Sequence, residues 1–482
     1  MTDWQPLLDD LQARRLAASA MGGEQRLGRQ HAAGKLDARQ RIAALCDPGS
    51  TTEIGALAGS LPADAFVAVI GRVDGRFVAV GAEDFTVAGG SIGAANSAKR
   101  HRLVTLAGER GIPLVMLLDG AGHRPPLPTD APSVRSPNDL QALADLRSQV
   151  PIAVGVLGPS AGHGALAAPL AHFTVMTQTA SIFSAGPPLV KASTGEDVDR
   201  MMLGGPSVAL ASGVIHNAAA DDHDALLQIR HWLGYVCDAR AAQSVAPLSD
   251  VDTAERVVDE VLEIVPRDPR RAYDMVDVIE VMSDEGTWFE VQSRFGASLL
   301  TGLARVGGRV VAIVANQPRV LAGAIDVAAA SKAADFIDTM DSFGVPLLFL
   351  TDNPGVLAGT VSERAGILRA SSRMFLAQRR ARSPKLQVTL RKAYGFGSSV
   401  MSMNPFDRQV LNVAFPGVTF GAMPARGADA ATGADESTAA ALAVAERESA
   451  YRSAAGLSVD DIIDPRQLRN VVLRALTLAA AS

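Results

Sequence analysis

Gly71-Arg-Val-Asp-Gly-Arg-Phe-Val-Ala-Val80 returns, 233 positions later, as Ala304-Arg-Val-Gly-Gly-Arg-Val-Val-Ala-Ile313. The match continues without a gap. Gly90, Lys99, Gly111, Pro113, Asp119 and Gly122 fall on Gly323, Lys332, Gly344, Pro346, Asp352 and Gly355. Between Gly71 and Gly122 about a third of the positions are identical. Upstream the spacing becomes 237, and Ile42, Asp47, Gly49 and Glu53 fall on Ile279, Asp284, Gly286 and Glu290. A period this long marks duplication of a whole domain rather than a solenoid repeat. Within each half, short aliphatic runs such as Phe66-Val-Ala-Val-Ile70 and Leu114-Val-Met-Leu-Leu118 alternate with Gly/Asp turns and helical segments, one of them spanning about 94–110. The alternation predicts an α/β fold in two tandem domains, 1–245 and 246–482, with the boundary in the proline- and charge-rich stretch 240–270.

The same spacing joins two glycine corners, Ala161-Gly162-His163-Gly164 and Tyr394-Gly395-Phe396-Gly397. Each follows a run that reads as a buried strand, Pro151-Ile-Ala-Val-Gly-Val-Leu157 and Pro384-Lys-Leu-Gln-Val-Thr-Leu390, and each precedes small residues suited to a helix start. Glycine lets the backbone turn sharply there, and the first amides of a helix lack intrahelical partners at the positive end of its dipole. Such a corner can hold an anion or an oxyanion; equally, its glycines can serve only tight packing. His163 is either a general base or the bearer of a useful backbone N–H.

Composition narrows the classes. A chain of 482 residues exceeds one ordinary core. A net charge of −6 gives no reason to expect nucleic acid or an anionic membrane as partner. Cys46 and Cys237 lie far apart, outside any metal-binding spacing, so no metal is expected. The polar start and the lack of a long apolar run lead us to expect a cytoplasmic protein. Residues 5–45 read as helical, with Leu7, Leu8, Leu11, Leu16 and later Ile42 and Leu45 spaced for one apolar face; His31 and Lys35 are able to face an anionic ligand, but a solvated basic face is the expectation. Pro125-Pro126-Leu-Pro128 reads as a loop, 435–451 as helical, and Leu468, Val471, Val472 and Leu476 as one face of a last helix. Gly158-Pro-Ser160-Ala-Gly162 fits the nucleophile elbow of hydrolases, with His172, His216, His223 or His231 as base. The repeat places Ala393 opposite Ser160, so the corner exists without a serine. No P-loop and no H-E-x-x-H occur.

Several longer segments carry a resemblance: His31-Ala-Ala-Gly-Lys-Leu-Asp-Ala-Arg-Gln-Arg-Ile42, Asp47-Pro-Gly-Ser50, Asp84-Phe-Thr-Val-Ala-Gly-Gly-Ser91, Gly186-Pro-Pro-Leu-Val-Lys191, and Arg391-Lys-Ala-Tyr-Gly395 with Val400-Met-Ser402. In these the chain resembles, nearly end to end, the carboxyltransferase (β) subunits of biotin-dependent acyl-CoA carboxylases of the propionyl-CoA carboxylase type. The resemblance implies two crotonase/ClpP-like domains, a homo-oligomer (usually a hexamer), and sites shared between the first domain of one protomer and the second of its neighbour. It implies carboxybiotin on a separate carrier protein as carboxyl donor, an acyl-CoA as acceptor, and a biotin carboxylase/biotin carboxyl carrier subunit as partner. Released biotin is implied to take the α-proton itself. Carried over by position, Gly162 and His163 would hold the acyl thioester oxygen, and Phe396 and Gly397 the biotin carbonyl. Gly120, Ala121, Gly122, Arg124, Gly164, Gly395, Ser398 and Ser399 would line the substrate. The family usually has Gly-Gly-Ala at the first corner and Gly-Gly-Ala-Tyr-Asp at the second, where this chain has Gly162-His163-Gly164 and Gly395-Phe396-Gly397-Ser398-Ser399. Its usual Gly-Gly-Ala-Arg loop is here Gly120-Ala-Gly-His-Arg124. Alternative readings are an acyl-CoA decarboxylase or transcarboxylase, and a catalytically silent structural paralogue.

Overall fold

The structure is a computed structural model and describes residues 4–124, 139–240, 254–422 and 436–480. The chain divides into two compact units, Met1–Gly234 and Tyr235–Ser482. The division falls inside the helix Asp222–Arg240, while the boundary expected from sequence, at 245/246, lies outside the described residues.

In the first unit β1 (Thr52–Ile54), β2 (Phe66–Val73), β3 (Arg76–Glu83), β4 (Leu114–Gly120), β5 (Ile152–Ala161), β6 (Phe173–Thr177), β7 (Ser181–Phe183) and β8 (Asn217–Ala219) form one sheet. Its order is β1-β2-β3-β4-β5-β6-β8, with β7 beside the end of β5. The first three strands run antiparallel, and from β3 onward every pairing is parallel. Parallel strands covered on both faces need apolar side chains on both, and β4 and the first seven residues of β5 are buried throughout.

The second unit repeats the arrangement with β9 (Phe289–Glu290), β10 (Leu299–Val306), β11 (Arg309–Asn316), β12 (Leu347–Asn353), β13 (Lys385–Tyr394), β14 (Gln409–Ala414), β15 (Thr419–Gly421) and β16 (Asp461–Ile462). Its order is β16-β14-β13-β12-β11-β10-β9, with β15 beside the end of β13. Residues 71–80 and 304–313 form equivalent hairpins. Val73 pairs with Arg76 and Val306 with Arg309, across the two-residue turns Asp74-Gly75 and Gly307-Gly308. All four turn residues have positive φ, as a primed hairpin turn requires. Asp47 accepts the N–H groups of Asp74 (3.1 Å) and Gly75 (2.8 Å), and Asp284 accepts those of Gly307 (2.8 Å) and Gly308 (2.7 Å).

The N-terminal expectation needs two corrections. Residues 5–45 do form helices, Gln5–Ser19, Glu24–Ala32 and Ala38–Leu45, but Leu7, Leu8 and Leu16 of the first are exposed and only Ala18 is buried. Lys35 does not sit on a solvated face: its Nζ lies 2.6 Å from the buried Asp119 carboxylate, with 14% of the side chain exposed. Leu468–Ala480 forms the last helix, burying Leu468, Val472 and Leu476. Pro125, Pro126 and Pro128 lie outside the described residues.

Candidate active site

Both glycine corners are strand-to-helix turns. β5 ends at Ala161 and a short helix, Gly162–Ala165, starts at once; β13 ends at Tyr394 and Gly395–Val400 follows. Gly162 and Gly395 have φ of +58° and +56°, a left-handed conformation that a side chain disfavours. The amides of residues 162–164 and 395–397 therefore lead a helix where no intrahelical acceptor exists. At Gly397 a Cβ would lie 2.6 Å from Asn353 Oδ1 and 2.7 Å from Gly355 Cα, so the backbone passes too close for any side chain.

The supports of the two corners occupy equivalent positions. In the first unit Glu83 Oε2 accepts the N–H of Asp119 at 2.6 Å; in the second Asn316 Oδ1 accepts that of Asp352 at 3.1 Å. Glu83 also receives Arg100 Nη2, whereas the position equivalent to Arg100 is the buried Ala333. Asp119 is held by Lys35 and by Arg41 (2.9 Å), and a Cβ on Gly158 would lie 1.8 Å from its Oδ1. In the second unit Arg391 occupies the position of Gly158 and supplies the cation itself, Nε to Asp352 Oδ2 at 2.6 Å. Burial lowers the pKa of Lys35 despite Asp119, and lowers that of Lys392 despite Asp352.

Among the expected substrate-lining residues, Ala121 and Arg124 are engaged within the protein. The Ala121 N–H donates to Gly89 O (2.9 Å), and Arg124 donates to Asp64 Oδ1 (2.8 Å), Ser91 O (3.0 Å) and Ser91 Oγ (3.1 Å). Gly120 abuts Gly90 O, and Gly122 with φ +82° lies against Ala161 O, which brings the end of β4 beside the first corner. Gly164 faces Glu83 Oε1. In the second corner Phe396 is 41% exposed and tilts against Phe375, with ring centroids 6.0 Å apart. Ser398 and Ser399 continue the helix, and Ser399 Oγ bonds Asn404 Oδ1 at 3.1 Å. His163 Nε2 lies 2.6 Å from Asp139 Oδ1.

Ser160 is fully buried, and its Oγ has no hydrogen-bond partner among the described residues. His172 and His216 instead take backbone N–H groups at Nδ1, from Ile152 (3.1 Å) and Thr174 (2.9 Å). Among the described residues Ser160 pairs with none of His172, His216, His223 and His231, and the hydrolase reading falls.

Lys35 lines a basic cleft of about 510 Å³ in the first unit together with Arg26, Arg29, Phe85, Pro159 and Arg200, which carried no expectation from sequence. Pro159 lies near the end of β5, three residues ahead of Gly162. The signal of the cleft was the cluster of basic residues around the helix Glu24–Ala32, which in sequence is indistinguishable from a solvated face. Among the described residues no group of acidic, His or Cys side chains could hold a metal ion, and no helix is long and apolar enough to cross a membrane.

Comparison with known proteins agrees with the duplicated architecture. The Carboxyl transferase domain model matches residues 29–482. The carboxyltransferase subunit of propionyl-CoA carboxylase from Haloferax mediterranei is 36% identical, covering 98% of this chain and 95% of that protein. Methylmalonyl-CoA decarboxylase subunit alpha from Veillonella parvula is 34% identical over 100% of this chain and 97% of its own. The crystal structure of transcarboxylase 12S, a hexamer with methylmalonyl-coenzyme A and methylmalonic acid bound, superposes with a TM-score of 0.91 at 33% identity, covering 100% of this chain and 97% of that one. With two α/β units of one topology, two equivalent glycine corners and this full-length likeness, the chain belongs to the carboxyl transferase family.

Proposed function

We propose that the chain is the carboxyltransferase subunit of an acyl-CoA carboxylase, working as a homohexamer with a separate biotin carboxylase/carrier partner. The reading rests on one observation: two equivalent strand-to-helix corners present leading amides behind a left-handed glycine. Carboxybiotin on the carrier supplies the CO2 that is added to the acyl α-carbon. The Gly162 and His163 amides hold the thioester oxygen as it gains charge, and those of Phe396 and Gly397 hold the ureido carbonyl. Arg26, Arg29 and Arg200 line a cleft suited to the phosphates of coenzyme A, with Lys35 at its floor beside Asp119.

The test is carboxylation of acyl-CoAs of graded length by a carboxylated carrier, run with the reverse reaction from a carboxyacyl-CoA. Turnover of a short acyl-CoA is the expected result; stable assembly with the carrier and no turnover of any acyl-CoA in either direction sinks the reading. Gly397→Pro removes one N–H donor and also drives a ring against Asn353 and Gly355, so we expect the corner as a whole to be displaced and kcat to fall on the order of 10²-fold or more. Arg29→Ala and Arg200→Ala should each raise KM for the acyl-CoA about tenfold with a smaller change in kcat.

A further inference from the structure

His163 brings a side chain to the first corner as well as an amide. Its Nε2 lies 2.6 Å from Asp139 Oδ1, and 17% of the His163 side chain is exposed. A carboxylate oxygen only accepts, so Nε2 carries the hydrogen of this pair, and Nδ1 is the nitrogen at which an imidazole can accept a proton. The orienting carboxylate is itself fixed. Its Oδ2 lies 4.0 Å from Arg100 Nη1, and Arg100 is fully buried between Asn96 Oδ1 (2.8 Å) and Glu83. Burial would raise the Asp139 carboxyl, but the hydrogen bond with His163 and the charge of Arg100 outweigh it and hold it below the usual carboxylate range. The His123 ring faces that of His163 at 4.8 Å between centroids. The equivalent residue of the second unit, Phe396, has no such chemistry.

We infer that His163 is a protein base for the acyl α-carbon, so that this chain exchanges the α-proton of an acyl-CoA without biotin. The inference rests on the acyl-CoA reading above. Nδ1 takes the α-proton, and the C–H pair forms the carbon–carbon double bond of the enolate. The carbonyl π pair moves onto the thioester oxygen at the Gly162 and His163 amides. Asp139 stabilises the imidazolium, which trades its proton with water and returns one to the carbon. Nothing is consumed. An oriented carboxylate–imidazole pair makes this step feasible, and a positioned base contributes on the order of 10²–10⁴-fold.

The experiment incubates the full-length protein with propionyl-CoA in D2O, without carrier, and follows deuterium in the acyl group by mass spectrometry. Carboxyl transfer from a carboxylated carrier is measured in parallel. Wild type should exchange, and the exchange rate should rise with pH to a plateau. Among the described residues the titratable groups in contact with His163 are Asp139 and His123, with Arg100 and then Glu83 behind Asp139. Asp139→Asn should slow exchange about tenfold or more, because the imidazolium formed in the step loses the carboxylate that stabilises it. His163→Ala, which keeps the backbone N–H, should reduce exchange about 10²-fold or more and abolish the rise of exchange with pH. No exchange by wild type overturns the inference whatever the carboxylation assay gives. Exchange by His163→Ala that keeps the wild-type rate, or that falls with the wild-type pH profile intact, also overturns it, because the imidazole is then not the base. Exchange without carboxyl transfer leaves the base standing and removes the proposed function instead.

Discussion

Glu83 and Asn316 show what the two halves share and where they part. Both accept the amide of the aspartate at the end of the next strand, yet only Glu83 carries charge, and only it faces a buried arginine. Glu83→Gln takes the closer carboxylate from the fully buried Arg100 and leaves Asp139 at 4.0 Å, and we expect it to lower stability by roughly 3 kcal/mol. Glu83→Gln with Arg100→Ala copies the uncharged character of the second unit and should recover a large part of that loss; thermal melts of the single and double variants measure the coupling. His172 offers a pH test. It is 6% exposed, accepts the Ile152 N–H, and burial pushes its pKa from 6.5 down to about 3. The unfolded chain therefore binds a proton between these values that the folded chain does not. Stability from this site is complete above about pH 6.5 and is lost as pH falls toward 3, on the order of 3 kcal/mol by pH 4. His172→Asn, which keeps an acceptor but does not titrate, should flatten the fall in melting temperature between pH 6.5 and 4.

At the scale of elements, the paired hairpins carry different loads behind the same turn. Asp284 also binds Arg469, whose side chain is fully buried, at 2.7 Å; its counterpart Asp47 lies 3.8 Å from Arg230, which is 26% exposed. Asp284→Asn should cost roughly 3 kcal/mol or more and Asp47→Asn about 1, compared by thermal melts of the two variants. These hairpins and the two corners were legible in sequence because each depends on local residues, a glycine of positive φ or an aspartate at fixed spacing, that duplication copied. The pairing of Asp119 with Lys35 and Arg41 was not, since its partners lie 84 and 78 residues away. The His163–Asp139 contact likewise spans 24 residues that carry no local signature. The exposed leucines of Gln5–Ser19 misled because helical spacing reports a shared face but not what covers it.

For the molecule as a whole, the family likeness extends over nearly the full chain, and the proposed hexamer should appear in light scattering of the purified protein; a monomer at micromolar concentration would remove that part of the proposal. The helix Glu24–Ala32 joins the cleft to the strand ends. Arg26 and Arg29 line the cleft, while Gln30 on the same helix and Lys35 just beyond it bind the Asp119 carboxylate at 3.2 and 2.6 Å. A polyanion seated on those arginines is then felt by the segment that closes over β4. Protease digestion should report it: cleavage around residues 22–36 ought to slow when coenzyme A is added and to speed up in Asp119→Asn, where the segment loses its ionic attachment.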